Sequence, residues 1–232
     1  MPETMTDTAT SDDLDVYLRP TWFLDSNSPE VAAFAGRTIG DAVSDVDKAV
    51  RLYYAIRDGI RYNPYAMSPD PAAFKASAVA KAESSFCVPK AIFLTAAGRA
   101  AGIPSRLGFA DVRNHLASPQ LLERMGTDVF VFHGYTEFFL EGKWVKATPA
   151  FNLALCTRFG VLPLEFDGRT DSIFHPYDAG GRRHMEYVLD RGSYADFPFE
   201  EMTRVFRETY PRFAPTDETG DAPRRDEMFN PE

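Results

Sequence analysis

Acyl transfer without a metal needs a nucleophile, a base and a group to orient the base, and this chain offers such a set in order. Cys87 stands directly before the apolar run V-P-K-A-I-F-L-T-A-A-G-R-A-A. A helix N-terminus presents unpaired N–H groups and the positive end of the macrodipole, so a thiol there is drawn toward the thiolate, its nucleophilic form. His133 lies inside the alternating run D-V-F-V-F-H-G-Y-T-E-F-F-L, and Trp144 with V-K-A-T-P follows. If these two runs pair as a hairpin, the returning one sets a polar group beside the imidazole, the base-orienter arrangement of a triad. Residue type alone leaves alternatives open. Cys87 serves equally as a small buried apolar residue, and His133 as a core histidine.

The surrounding pattern supplies elements able to hold that set. Ser28-Pro29-Glu30 reads as an N-cap followed by proline at the first helical position, opening a short helix that ends near Gly36 or Gly40. Apolar residues at Val46, Ala49, Val50, Tyr53, Ile56 and Ile60 have helical spacing, and Asn63-Pro64 is expected to stop that helix. Residues 88–101 form the next long helix, with Pro89 tolerated in its first turn and Gly102 just past its end. The stretch S-R-L-G-F-A-D-V is extended, and residues 128–140, the Glu141-Gly142 turn and K-W-V-K-A-T make a strand pair. In 153–213 the pattern predicts aromatic and proline-rich loops, a helix from about 180 to 191, and a last helix behind Pro198 with Phe199, Met202, Phe206 and Tyr210 on one face. Helices first and strands afterwards make an α+β fold, not an alternating βαβ one.

The stretch S-F-C-V-P-K-A-I-F-L-T-A-A-G-R-A-A-G-I-P-S-R (85–106) resembles the nucleophile helix of the transglutaminase-like superfamily, and H-G-Y-T-E (133–137) with K-W-V-K-A-T-P (143–149) resembles its histidine strand and the strand after it. I-R-D-G-I-R-Y-N-P-Y (56–65) is similar to the segment before the cysteine loop, so the likeness runs over 45–152. The resemblance implies a papain-like core in which N-terminal helices pack on an antiparallel sheet. It makes Cys87 the nucleophile and His133 the general base, and sets Thr148 where the family usually has Asp. A neutral orienter serves in papain-like enzymes, where Asn fills the role. Asn152 is the substitute if the chain bends after Pro149. Glu137, about 13 Å along the strand from His133, is too far to touch the same ring and supports the sheet instead. Ser85 for the usual Gly and Tyr135 for the usual Trp are smaller departures. For the oxyanion hole, the Cys87 N–H is one donor by position, and Tyr62, Asn63 and Tyr65 are candidates for a second donor or a substrate contact.

Other residues fit blander roles. Cys156 has no histidine motif around it and reads as structural. His175 and His184 lack zinc-ligand spacing, Arg182-Arg183 suits a solvated helix start, and Asp167-Gly168-Arg169-Thr170-Asp171 is a turn without the ligand set of a calcium loop. No cofactor and no metal is expected.

Charge and composition bound the rest. The chain has 232 residues and a net charge of −9. All of that charge sits in residues 1–15 and 214–232, two acidic stretches expected to be disordered tails around a single domain over 16–213 (core motifs 45–152, extension 153–213). The body is neutral, without the clustered cations a nucleic-acid partner demands. Two cysteines cannot build a disulfide framework, and no signal-peptide or membrane-span pattern stands out, so a reducing, cytoplasmic setting is expected. Together these readings predict a cysteine peptidase or amidase, with transamidation open to it, acting on a peptide, protein or small amide through a thioester. The competing expectation is a non-catalytic binding module on the same fold, motivated by the missing Asp.

Overall fold

The computed structural model describes residues 14–115, 117–173, 180–181 and 184–211. Of the expected tails at 1–15 and 214–232, all but Leu14 and Asp15 lie outside the described residues, as do His175, Arg182 and Arg183, and Asp15 opens a short 3-10 turn (Asp15–Tyr17).

In chain order the elements are α1 (Pro29–Ile39), α2 (Asp45–Gly59), β1 (Arg61–Tyr62), α3 (Ala76–Val79), β2 (Ser84–Ser85), α4 (Cys87–Ala100), β3 (Ser105–Asn114), α5 (Pro119–Met125), β4 (Val129–Leu140), β5 (Lys143–Ala147), α6 (Leu153–Phe159), β6 (Met185–Tyr194) and α7 (Phe199–Thr209). Ser28 caps α1 through Val31 N–H and Ser44 caps α2 through Asp47 N–H, each satisfying a donor the helix cannot. β3 to β6 form one antiparallel sheet in the order β5-β4-β3-β6, while β1 and β2 make a short parallel pair beside the head of α4. The α+β expectation holds.

α4 is the centre of the molecule. It is apolar all round and buried nearly along its whole length, as a helix enclosed by others and by a sheet must be. Small residues let it settle on β4. A Cβ on Gly134 would stand 3.1 Å from the Val88 Cα, and one on Gly98 would stand 2.5 Å from the Phe138 ring. Between those contacts Thr136 Oγ1 donates to Ala91 O (3.0 Å), so Gly134, Thr136 and Phe138 share the face turned to α4. By the two-residue period of a strand, His133, Tyr135 and Glu137 leave on the other face.

Two elements depart from the pattern-based expectation. α2 ends at Gly59, short of Asn63-Pro64, because Arg61 and Tyr62 are taken up in pairing with β2. The expected helix over 180–191 is not found among the described residues there: 185–194 form β6, whose Met185, Tyr187, Leu189 and Tyr194 pair with β3. The run M-E-Y-V-L carries strand-forming Tyr and Val, and Gly192 (φ 82°) opens a bulge that no helix would accept. α5 and α6, seven residues each, fall where no helix was expected.

Candidate active site

Cys87 is itself the first residue of α4, with Phe86 as N-cap. β5 stops pairing at Ala147, opposite Thr136, which leaves Gly134 on β4 without a β5 neighbour. The Cys87 sulfur takes that place, within reach of the N–H groups of Gly134, Val88 and Cys87 itself. The thiol thus meets the strand at its edge, one residue from His133.

Sequence reasoning expects the helix N-terminus to draw this thiol toward thiolate. The structure corrects that balance. Cys87 is only 8 % exposed, and its burial pushes the thiol up to about 11, outweighing the three N–H groups and the Lys90 ammonium, all of which pull it down. Burial acts on His133 in the mirror sense. At 1 % exposure its ring is pushed down to about 3, with the Gly134 backbone opposing. At neutral pH both groups rest uncharged.

The backbone before His133 is unusual. Phe132 has φ 53°, a left-handed conformation that a bulky residue adopts only when its surroundings impose it. The imposing group is Asp111 on β3, buried, whose Oδ1 accepts the Phe132 N–H at 3.0 Å while Arg191 of β6 closes on the same carboxylate, Nη2 to Oδ2 at 2.7 Å. The Arg191 guanidinium also lies 4.4 Å above the centre of the Phe132 ring. The strand register slips here, between Ala110 and Val112, and a bulge of this kind re-aims the next side chain. That side chain is His133.

Continuing the β4–β5 register past Ala147 sets Thr148 opposite Tyr135, on the His133 face and diagonal to it, a spacing of roughly 7–8 Å that an imidazole can bridge. Thr148 Oγ1 is buried and makes no hydrogen bond among the described residues, while the Thr148 carbonyl accepts from Tyr53 Oη at 3.1 Å. Asn152 is committed elsewhere: its Oδ1 accepts the Tyr62 N–H at 3.0 Å, which ties β1 to the segment after β5. The Tyr62 N–H is therefore taken, but its ring lines the cleft beside Cys87. Asn63 N–H donates to Ser85 O and its Oδ1 accepts from Tyr65 N–H, a local turn. The Tyr65 ring lies under Arg124. Neither Asn63 nor Tyr65 lines the cleft. Glu137 supports the sheet, paired with Arg106 and accepting from Ser193 Oγ at 2.9 Å.

The cleft holding the sulfur has a volume of about 410 Å³. Tyr62, Pro64 and Met67 form one side and Leu121 and Met125 of α5 another, while Phe206 and Tyr210 close it from α7. α7 belongs to the 153–213 extension. Tyr210 Oη fastens it to the β4 bulge, accepting from Val131 N–H (2.6 Å) and donating to Val129 O (3.0 Å).

Three contributors escaped sequence reasoning. Lys90 is fully buried and its ammonium donates to the carbonyls of Arg57, Ile60 and Ala150 at 2.6–2.9 Å, lashing α2, β1 and the post-β5 segment to the helix of Cys87. A lone lysine in an apolar helix was its signal. Asp111, a lone acid in the strand G-F-A-D-V, gave a similar one. Arg191 was hidden by the mistaken helix. Among the described residues no three His, Cys, Asp or Glu side chains gather as metal ligands, and no helix is long and apolar enough to cross a membrane.

Comparison with known proteins bears on the fold and the family. Among solved structures, a candidate cysteine protease from Cytophaga hutchinsonii aligns over 84% of this chain with a TM-score of 0.52 at 15% identity. This chain spans about half (51%) of that protein's length. A candidate protease from Parabacteroides distasonis aligns over 58% of this chain and 25% of its own, with a TM-score of 0.36 at 17% identity. No curated protein matches the sequence. The family model of the transglutaminase-like superfamily matches residues 32–149, just over half of the chain and both strands of the expected site. With that match, and with the papain-like arrangement of helix and sheet seen here, the chain belongs to the transglutaminase-like superfamily.

Proposed function

We propose that the protein is a cysteine-dependent acyl-transfer enzyme that hydrolyses a peptide or carboxamide bond. The observation that carries this reading is the position of the Cys87 sulfur: at the head of α4, faced by three N–H donors, one residue from His133, and open to a cleft. His133 takes the thiol proton as sulfur attacks the carbonyl carbon. The C–N bond then breaks and the imidazolium proton leaves with the amine. Water opens the thioester with His133 as base, the C–S bond breaks, and the thiol is restored. The Cys87 N–H and the Tyr62 hydroxyl are the candidates to receive the oxyanion, and Thr148 is the candidate to orient the ring.

Two neutral partners suit such a cycle, because charge is created only once substrate excludes water and one proton moves. The same neutrality, with Thr148 in place of an acid, favours the second reading of a binding module that performs no chemistry. Incubation with a synthetic peptide library in ¹⁸O-water separates the two. Cleaved products carrying ¹⁸O at the new carboxyl end, absent with Cys87→Ala, are the expected result. No cleaved product with the folded wild-type protein overturns hydrolysis. Amine-linked products in place of cleaved ones redirect it to transamidation.

A further inference from the structure

Apolar side chains make most of the Cys87 cleft. Pro64 and Met67 come from the loop after β1, Leu121 and Met125 from α5, Phe130 from β4 and Phe206 from α7. Among the described residues its polar lining is the Cys87 thiol and two phenols. Of these, Tyr210 Oη spends its hydrogen bonds on the backbone of Val129 and Val131. Among the described residues no charged side chain lines the space. A polar side chain entering it loses water and meets little polar lining beyond the thiol and the two phenols, which is costly, whereas an apolar group is favoured by the same transfer. The space is open to solvent on one side, so a side chain can enter it from outside.

We infer that this cleft receives the side chain of the residue that supplies the scissile carbonyl, and selects a bulky apolar one, of phenylalanine, leucine or methionine size, against carboxamide, acidic and basic ones. The inference rests on the acyl-transfer reading of Cys87 and adds to it the class of substrate. Because α7 supplies one wall, the 153–213 extension sets specificity, while the core motifs hold the reacting groups.

The test is a panel of N-acetyl-X fluoromethyl ketones with X as Phe, Leu, Gln, Asp or Lys, the full-length protein, and intact mass as the readout. Labelling forms a bond from sulfur to the methylene carbon, expels fluoride and releases the thiol proton. Phe and Leu probes are expected to label Cys87 about 10–200-fold faster than the Gln, Asp and Lys probes. Met67→Glu, in a loop and partly exposed, is expected to narrow the gap between Phe and Lys at least ~10-fold while the protein melts as a folded chain. Equal rates across the panel, with labelling still abolished by Cys87→Ala and slowed by His133→Ala, overturn the apolar selection and leave the enzyme reading standing. Labelling indifferent to His133 overturns the enzyme reading, and this inference with it.

Discussion

The molecule holds two buried thiols, and the hydrogen bonds around them differ: three backbone N–H groups favour charge on Cys87 and one, its own, on Cys156. Each faces an apolar pocket, and burial pushes each up to about 11. The same Lys90 ammonium pulls both down. Cys156, on α6, even has a histidine nearby, since His184 lines its pocket and stacks on Phe151. The contrast is the polarity of the surrounding hydrogen bonds. Cys156 Sγ is directed at the Phe151 carbonyl, 4.0 Å away, an acceptor that favours the protonated thiol. Cys87 faces donors, which favour the charge that builds on sulfur during attack. On the acyl-transfer reading, resting acidity does not tell the two thiols apart; the groups waiting for the negative charge do.

The sharpest way to break this comparison is to delete each sulfur. Cys87→Ala is expected to remove turnover and probe labelling by about 10⁴-fold or more, with Cys156→Ala within about threefold of wild type once corrected for folded protein. Comparable losses from both would erase the distinction. The histidines come next. His133→Ala is expected to slow labelling of Cys87 by about 10²–10⁴-fold, whereas His184→Ala leaves it unchanged, measured as the second-order rate with the Phe probe. Asp111→Ala removes the acceptor of the Phe132 N–H and strands Arg191. We expect a stability loss of about 3 kcal/mol by urea denaturation. We also expect a fall in labelling rate that persists at temperatures where the variant is fully folded. A variant that is destabilised but labels at the wild-type rate separates the bulge from His133 alignment.

The last effects are electrostatic and have opposite signs. His133 is lowered from 6.5 to about 3, so the unfolded chain binds the extra proton between those values. Stability from the neutral ring is complete above 6.5 and lost as pH falls toward 3, by at most about 1.4 kcal/mol per pH unit. His133→Gln should flatten that acid limb. Both thiols are raised from 9.0 to about 11, so their contribution is complete below 9.0 and lost as pH rises toward 11. Cys87→Ala and Cys156→Ala should flatten the alkaline limb equally, although only one of them affects labelling. Unequal flattening would mean that burial does not weigh on the two sulfurs alike.

How much of this was legible in the sequence follows from range. The cap at Ser28, the helix of Cys87 and the β4–β5 hairpin are local: a few neighbouring residues state them, and the structure repeats them. The order of the motifs carried Cys87, His133 and Thr148. What covers the sulfur was legible only at Tyr62, because Met125 and Tyr210 come from distant segments with no motif of their own. Without that cover in view, the helix N-terminus was credited with more influence on the thiol than it has. β6 was misread for the same reason: its partner, β3, lies far away in the chain, and pairing across that distance overrides a weak local pattern.

The fastening of α7 through Tyr210 has a consequence in time. Synthesis delivers Cys87 more than a hundred residues before Phe206 and Tyr210, and the two hydrogen bonds that hold the bulge beside His133 end on the last described turn of chain. A growing chain therefore carries its thiol through the ribosome with one wall of the cleft still unmade. The wall that α7 supplies is therefore added after the helix and strand that present the N–H donors to the sulfur can already have folded.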